Sequence, residues 1–284
     1  MTPIVSTVAE VRAVVDVLRQ DGKTISFVPT MGALHDGHAA LIWAARETSD
    51  FVVVSIFVNP TQFGPNEDYT RYPRTLAADQ KLATQSGADL IFAPKPEEMY
   101  PARSLTSVEV GKLGDHLCGT SRPGHFRGVC TVVLKLFNIV RPHTAHFGAK
   151  DYQQARIISQ MVRDLNVPVT VKIEPTVREP DGLALSSRNR YLSTAERAVA
   201  PRIYQALQAI QAHTMAGEVD VARLESKLQS ALSSIPNARV DYASIVDAET
   251  LQPIARLDRP AVAAVAVYLG TTRLIDNVVL NHGE

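Results

Sequence analysis

The chain lacks a net charge. Twenty-nine basic residues balance 29 acidic ones over 284 residues. No global field therefore draws it toward nucleic acid or an anionic membrane, and any positive potential it uses has to be local. Cysteine is scarce: Cys118 and Cys130 are the whole complement. That argues for free thiols in a reducing compartment and against a disulfide framework. Long apolar runs are missing too. Phe51 to Val58 is among the longest, far short of the ~20 residues a membrane-crossing helix needs. Met1-Thr2-Pro3-Ile4 shows no basic segment ahead of an apolar one, so no signal peptide is expected. No internal repeat, low-complexity tract or flexible linker is visible. Together these absences predict a cytoplasmic protein with no nucleic-acid or membrane partner.

What is present is an ordinary globular balance, 45% hydrophobic and 20% charged, enough for one large domain or two moderate ones with a substantial core. The first part alternates helix-like and strand-like segments. Apolar spacing predicts a helix over Val5 to Gln20. Short buried strands are expected at Ile25 to Val28, stopped by Pro29, and at Phe51 to Phe57, Ala88 to Ala93, Thr144 to Gly148 and Val169 to Ile173. Helices are expected at His38 to Thr48, Thr75 to Ser86, Phe126 to Val140 and Asp151 to Leu165. This alternation predicts a Rossmann-like parallel sheet with helices on both faces, whose ligands sit beyond the carboxyl ends of the strands. The tail reads differently: helices at Thr194 to Met215 and Val219 to Leu232, then strands at Val240 to Val246, Ala261 to Tyr268 and Thr272 to Val279. The fold class expected is thus α/β, with a catalytic domain over residues 1–176 and a smaller α+β domain over 177–284.

The strand-end rule directs attention to the loop Pro29-Thr30-Met31-Gly32-Ala33-Leu34-His35-Asp36-Gly37-His38. Its glycines permit close backbone approach, and a helix N-terminus follows, with free N–H groups and a positive dipole end. His35 and His38 are three residues apart, about 60° apart around a helix, and so share a face. Imidazole N–H groups there could meet phosphate oxygens. The plainer alternative is one surface histidine and one cap or core group. A zinc site fits less well, because the metalloprotease pattern spaces its histidines by four around a glutamate.

Other strand ends repeat the plan. Asn59 and Gln62, in Asn59-Pro60-Thr61-Gln62-Phe63, offer neutral amides that suit a hydroxy acid, or else form a turn. Arg71 and Arg74 precede a helix and could meet phosphates or simply lie on the surface. Asp79 could help hold Mg²⁺, or be an exposed helix carboxylate. His146-Phe147-Gly148-Ala149-Lys150-Asp151 again runs strand, glycine, helix start. Lys150 could reach polyphosphate there, while Asp151 could be a plain N-cap. Ser186, Ser187 and Arg188 supply two hydroxyls and a guanidinium fork in a stretch that could equally be a linker.

Pro29 to His38 resembles the ATP-binding signature of the pantothenate synthetase (pantoate–β-alanine ligase) family, within the wider nucleotidyltransferase group that carries a His-x-x-His or His-x-Gly-His loop. The blocks around Asn59–Phe63, Arg71–Thr75, Gly148–Gln154 and Leu185–Asn189 follow in the order of that family. The resemblance implies ATP contacts from Met31, Gly32, Ala33, Leu34, His35, Asp36, Gly37, His38, Gly148, Ala149, Lys150, Asp151, Val177, Leu185, Ser186, Ser187 and Arg188. It implies pantoate contacts from Gln62 and Gln154, and β-alanine near Gln62 and Asn59. His38 would be the proton donor beside His35, with Lys150 and Arg188 on the departing pyrophosphate. Mg²⁺ would accompany ATP as substrate, Asp79 being the candidate protein ligand, and no tightly bound organic cofactor is expected. The resemblance further implies a homodimer, a C-terminal domain that closes over the active site, and a reaction in two halves: adenylation of pantoate, then capture by β-alanine. Two rivals remain on residues alone. A nucleotidylyltransferase would stop at a dinucleotide-like product, and a nucleotide-sensing module would bind ATP without turnover. A tRNA-charging enzyme is disfavoured by the neutral charge and short length.

Overall fold

Apolar, β-branched strands separated by amphipathic helices assemble into a parallel sheet. The computed structural model describes residues 1–65 and 67–280. In chain order the elements begin β1 (Ile4–Val5), α1 (Val8–Gln20), β2 (Ile25–Thr30), α2 (Asp36–Thr48), β3 (Phe51–Ile56), α3 (Leu76–Ser86), β4 (Leu90–Phe92) and α4 (Pro96–Met99). They continue α5 (Cys118–Ser121), α6 (His125–Val140), β5 (Thr144–Gly148), α7 (Tyr152–Asp164) and β6 (Thr170–Glu174). Last come α8 (Thr194–Val199), α9 (Arg202–Met215), α10 (Val221–Ser233), β7 (Ala238–Asp247), β8 (Ala261–Leu269) and β9 (Thr272–Leu280). Contacts divide the chain into two compact units. One comprises residues 1–110, 122–149 and 154–175, and the other residues 111–121, 150–153 and 176–284.

The first unit holds a six-stranded sheet in the order β1-β4-β3-β2-β5-β6, with every pair parallel. From β2 the chain builds outward through β3 on one side and through β5 on the other. The carboxyl ends of β2 and β5 therefore flank the point where strand order reverses, the place where such sheets bind ligands. Helices α2 and α3 cover one face, burying Val28, Ile42, Ala45, Val52, Val54, Ala83 and Ile91 together. Side chains alternate along a strand, so Phe27 points the other way. Its ring meets Phe137 of α6 edge-on, with centroids 6.4 Å apart.

Three details depart from the sequence reading. Pro29 does not stop β2; the strand runs on to Thr30, paired with β3 throughout. Pairing of β2 with β5 ends at Phe27 and Ala145. The N–H that proline lacks is therefore not needed on that side, and the two strands part just where a ligand would enter. Helix α1 starts at Val8 because Thr7 and Glu10 form a reciprocal capping box, a Thr-x-x-Glu signature. That frees Ile4–Val5 to pair with β4 as an edge strand. The helix expected over Thr194 to Met215 is two, α8 and α9, because Pro201 lacks the N–H that would continue the first.

The second unit carries an antiparallel sheet, β7-β8-β9. Helices α9 and α10 bury Ile203, Leu207, Ile210, Leu224 and Leu228 against the β8 residues Ala263, Val265 and Val267. This is the α+β tail expected from helices followed by adjacent strands.

Cys118 and Cys130 are both free and buried. Burial, with the Glu109 carboxylate adding to it, pushes the Cys130 thiol up to about 12, so it is not a nucleophile at neutral pH. Cys130 in the native protein should resist a thiol-reactive dye at pH 8 and label once the chain is unfolded in guanidinium. Rapid native labelling, mapped to Cys130 by peptide mass, would contradict this packing.

Candidate active site

The loop after β2 is built on one buried carboxylate. Gly32 and Ala33 both adopt left-handed backbone, with φ of 81° and 51°, which turns the next amides inward. Asp79 of α3, 2% exposed, receives them: Ala33 N–H donates to Oδ2 at 3.0 Å and Leu34 N–H to Oδ1 at 2.8 Å. The Thr75 hydroxyl also donates to Oδ1, at 3.1 Å. A β-carbon on Gly32 would lie 3.0 Å from Asp79 Oδ2 and from Ile56 Cγ2, so the approach needs glycine for space as well as for its dihedral. Asp79 is thus no exposed helix carboxylate, and both its oxygens accept hydrogen bonds. The inward N–H groups of Ala33 and Leu34 are likewise engaged and do not point toward a bound anion.

This loop delivers the histidines. His35 is the N-cap of α2 and His38 lies three residues into it, with ring centroids 4.1 Å apart. The Nδ1 of His35 accepts from Gly37 N–H at 3.2 Å, and the Nδ1 of His38 accepts from His35 N–H at 3.3 Å. An imidazole nitrogen that accepts carries no proton, so the neutral ring holds it on Nε2. Two backbone amides therefore set both histidines to offer an Nε2–H donor beside a helix N-terminus, an arrangement suited to phosphate oxygens. The surface-plus-cap alternative is half right: His35 does cap, and it does so while standing against His38.

Gln62 sits on the 3₁₀ turn Pro60–Gln62 after β3. Its orientation is set from behind by Asn59, which is 1% exposed. Asn59 Oδ1 accepts from Tyr100 Oη at 2.8 Å and from the Thr61 hydroxyl at 2.9 Å. Its Nδ2 then faces Gln62 Oε1 at 3.1 Å and Gly128 O at 3.2 Å. With its oxygen so held, Gln62 turns Nε2 toward Met31, 3.0 Å from Sδ. Gln62 thus presents N–H donors next to the histidine loop, while Asn59 is a support behind it and not a group facing a ligand. Arg74 donates to the Tyr72 and Tyr69 carbonyls at 3.2 and 3.3 Å and so serves its own loop. Gln154, half-buried in α7, lies in the same unit.

The remaining candidates belong to the second unit, Arg71, Gly148 and Ala149 excepted. A 3₁₀ turn, Ala149–Asp151, precedes α7, so the helix starts at Tyr152 and not at Asp151. The Lys150 carbonyl accepts from Asn277 Nδ2 at 2.9 Å, while Asp151 is exposed. Residues 177–189 are not a linker. Leu185 N–H donates to Val177 O at 3.0 Å, and Glu179 N–H to Leu183 O at 2.8 Å. Arg178 pairs through two N–H groups with Asp276, at 2.6 and 2.9 Å, and lies 3.5 Å over the Tyr204 ring. Ser186 caps the turn Ser187–Tyr191 by accepting from Arg188 N–H at 3.2 Å. The Ser-Ser-Arg run therefore follows a braced hairpin, with Ser187 buried.

Residues 3–279 match the family model described as pantoate-beta-alanine ligase. The chain belongs to the pantoate-beta-alanine ligase family. A pantothenate synthetase from Thermotoga petrophila is 53% identical over 98% of this chain and 99% of its own length. One from Pseudomonas putida is 54% identical over 99% of this chain and 98% of its own. The crystal structure of pantothenate synthetase from Thermus thermophilus superposes with a TM-score of 0.92 at 50% identity, covering 98% of this chain and 99% of that one. The ligase from Francisella tularensis, complexed with β,γ-ATP and β-alanine, gives a TM-score of 0.80 at 36% identity, covering 98% of each chain.

Two supports of this ligase escaped the sequence reading: Asp79 as a backbone acceptor, and Tyr100. Asp79 was weighed as a metal ligand and Tyr100 not at all, although each fixes a residue that was singled out. Neither has a local signal, because the contacts span 41 to 46 positions. Asp79→Ala leaves two inward N–H donors unpaired and should lower stability by about 2–4 kcal/mol in chemical denaturation. In Asp79→Asn, activity should fall without any change in the Mg²⁺ concentration giving half-maximal rate. A shifted Mg²⁺ requirement would mark Asp79 as a metal ligand after all.

Proposed function

We propose that the enzyme joins (R)-pantoate to β-alanine at the expense of ATP, through a pantoyl adenylate, releasing pyrophosphate and AMP. The observation that carries this reading is the paired Nε2–H donors of His35 and His38 beside the inward-facing amide of Gln62, in a chain whose family is pantoate-beta-alanine ligase. In the first half-reaction a pantoate carboxylate oxygen attacks the α-phosphorus of ATP, and the bond to the bridging oxygen of pyrophosphate breaks. Two anions must meet, so the task is to position them and to stabilise developing charge. In this reading His35 and His38 donate to the phosphates, with His38 as proton donor, and Lys150 and Arg188 stabilise the departing pyrophosphate. Gln62 and Gln154 hold the hydroxy acid. In the second half-reaction the neutral amine of β-alanine attacks the acyl carbon, AMP leaves with the bonding electrons, and the amine proton is released.

Mg²⁺ belongs to this proposal as part of the ATP substrate. No group of three or more His, Cys, Asp or Glu among the described residues could hold a metal ion, and Asp79 is engaged with backbone. The protein's fit is to a metal that arrives on the triphosphate with its own waters. A cytoplasmic homodimer completes the reading, supported by the family resemblance and, for solubility, by the lack among the described residues of any helix long and apolar enough to cross a membrane. Sedimentation checks the dimer.

The deciding assay is incubation with ATP, Mg²⁺, pantoate and β-alanine, with products followed by mass. AMP and pantothenate should appear in equal amounts. ATP binding without pantoate-dependent pyrophosphate release would sink the reading in favour of a sensor, and a dinucleotide-like product would favour a nucleotidylyltransferase. His38→Ala and Lys150→Ala should each slow adenylation about a hundredfold or more, the usual scale for losing a preorganised charge-stabilising donor. Gln62→Ala should mainly raise the KM for pantoate; an unchanged pantoate KM with altered ATP affinity would reverse that assignment.

A further inference from the structure

The turn that carries Gln62 is gripped by the segment entering α6. Two side chains reach the Gln62 carbonyl oxygen: Arg122 Nη2 at 3.2 Å and His125 Nδ1 at 2.8 Å. A carbonyl oxygen only accepts, so Nδ1 of His125 carries a proton. The other ring nitrogen, Nε2, lies 3.0 Å from Arg122 Nη1. A guanidinium only donates, so Nε2 is the acceptor. The two bonds together specify the neutral Nδ1–H tautomer, the opposite of the one set at His35 and His38.

Arg122 is itself fixed by Glu67, which accepts from Nε at 2.7 Å and from Nη2 at 2.5 Å. Burial pushes the Glu67 carboxyl up, but the hydrogen bonds and charge of Arg122 prevail and hold it below its ordinary value. One turn further along, α6 touches the turn directly. A β-carbon on Gly128 would lie 2.4 Å from Thr61 O and 2.7 Å from Gln62 N. The Gly128 carbonyl also accepts from Asn59. The Gln62 peptide is therefore held from both its backbone and its side-chain end.

We propose that Arg122 and His125 are positioning residues that fix the peptide plane of Gln62, so that its amide N–H groups meet the carboxylate or hydroxyl of the acid substrate. This rests on the reading of Gln62 as the group that holds that acid. Glu67 acts one step behind, keeping the Arg122 fork in the orientation that makes His125 an acceptor at Nε2.

Two substitutions in the full-length enzyme test it. His125→Asn keeps an amide N–H where Nδ1–H stood, and His125→Leu keeps none. His125→Leu should raise the pantoate KM about tenfold, the scale of one lost hydrogen bond, with little change in the ATP KM. His125→Asn should recover most of that loss. Long-range proton–nitrogen NMR of the unliganded wild-type enzyme should place the His125 proton on Nδ1. A proton on Nε2, or equal loss of pantoate and ATP binding in both variants, would overturn the inference. Should the leucine variant fail to fold, the wild-type tautomer and the asparagine variant still decide it. Failure of the underlying reading shows separately, as an unchanged pantoate KM in Gln62→Ala.

Discussion

Asp79 accepts two backbone amides from a loop that turns through left-handed backbone at Gly32 and Ala33, and the arrangement of the histidines follows from that acceptance. The carboxylate holds Ala33 and Leu34, their position sets the entry of the chain into α2, and that entry makes His35 the N-cap. The cap places the Gly37 amide on His35, and the His35 amide then falls on His38. Each step is a hydrogen bond from backbone to side chain, so the geometry of the site is written into the main chain and not into packing among long flexible groups.

The same logic governs Gln62. A flexible side chain with an amide end can point either way. Here its oxygen is held by Asn59, Asn59 by Tyr100 and Thr61, and its carbonyl by Arg122 and His125. The result is preorganisation: the Gln62 amide has little freedom left to lose should it bind a ligand. The cost is a set of buried polar residues, among them Asp79, Asn59 and His125, each tolerable because it is hydrogen-bonded.

Local patterns made much of this legible. The 3.6-residue apolar spacing and the β-branched runs located the sheet and its helices, and the switch-point rule led to His35, His38 and Gln62. Departures came where one residue's backbone chemistry overrode the pattern: Pro29 inside β2, Pro201 between α8 and α9, and the Thr7–Glu10 box that released β1. The supports were not legible. Nothing near Asp79 in sequence distinguishes a carboxylate that faces solvent from one that turns inward to meet a loop more than 40 positions away. Tyr100 and His125 likewise gain meaning only when strand ends and helix starts are brought side by side.

The tautomers of His35 and His38 carry a consequence for how this loop attracts a nucleotide. Rings that accept backbone amides at Nδ1 keep their remaining N–H on Nε2, so in the proposed reaction the loop would meet phosphate with oriented dipoles. Dipolar attraction of that kind is short in range and little weakened by dissolved ions, unlike the pull of an exposed ammonium or guanidinium. In the proposed reaction, capture over distance and grip at contact would then fall to different chemical groups, the former to charged side chains and the latter to the capped imidazoles.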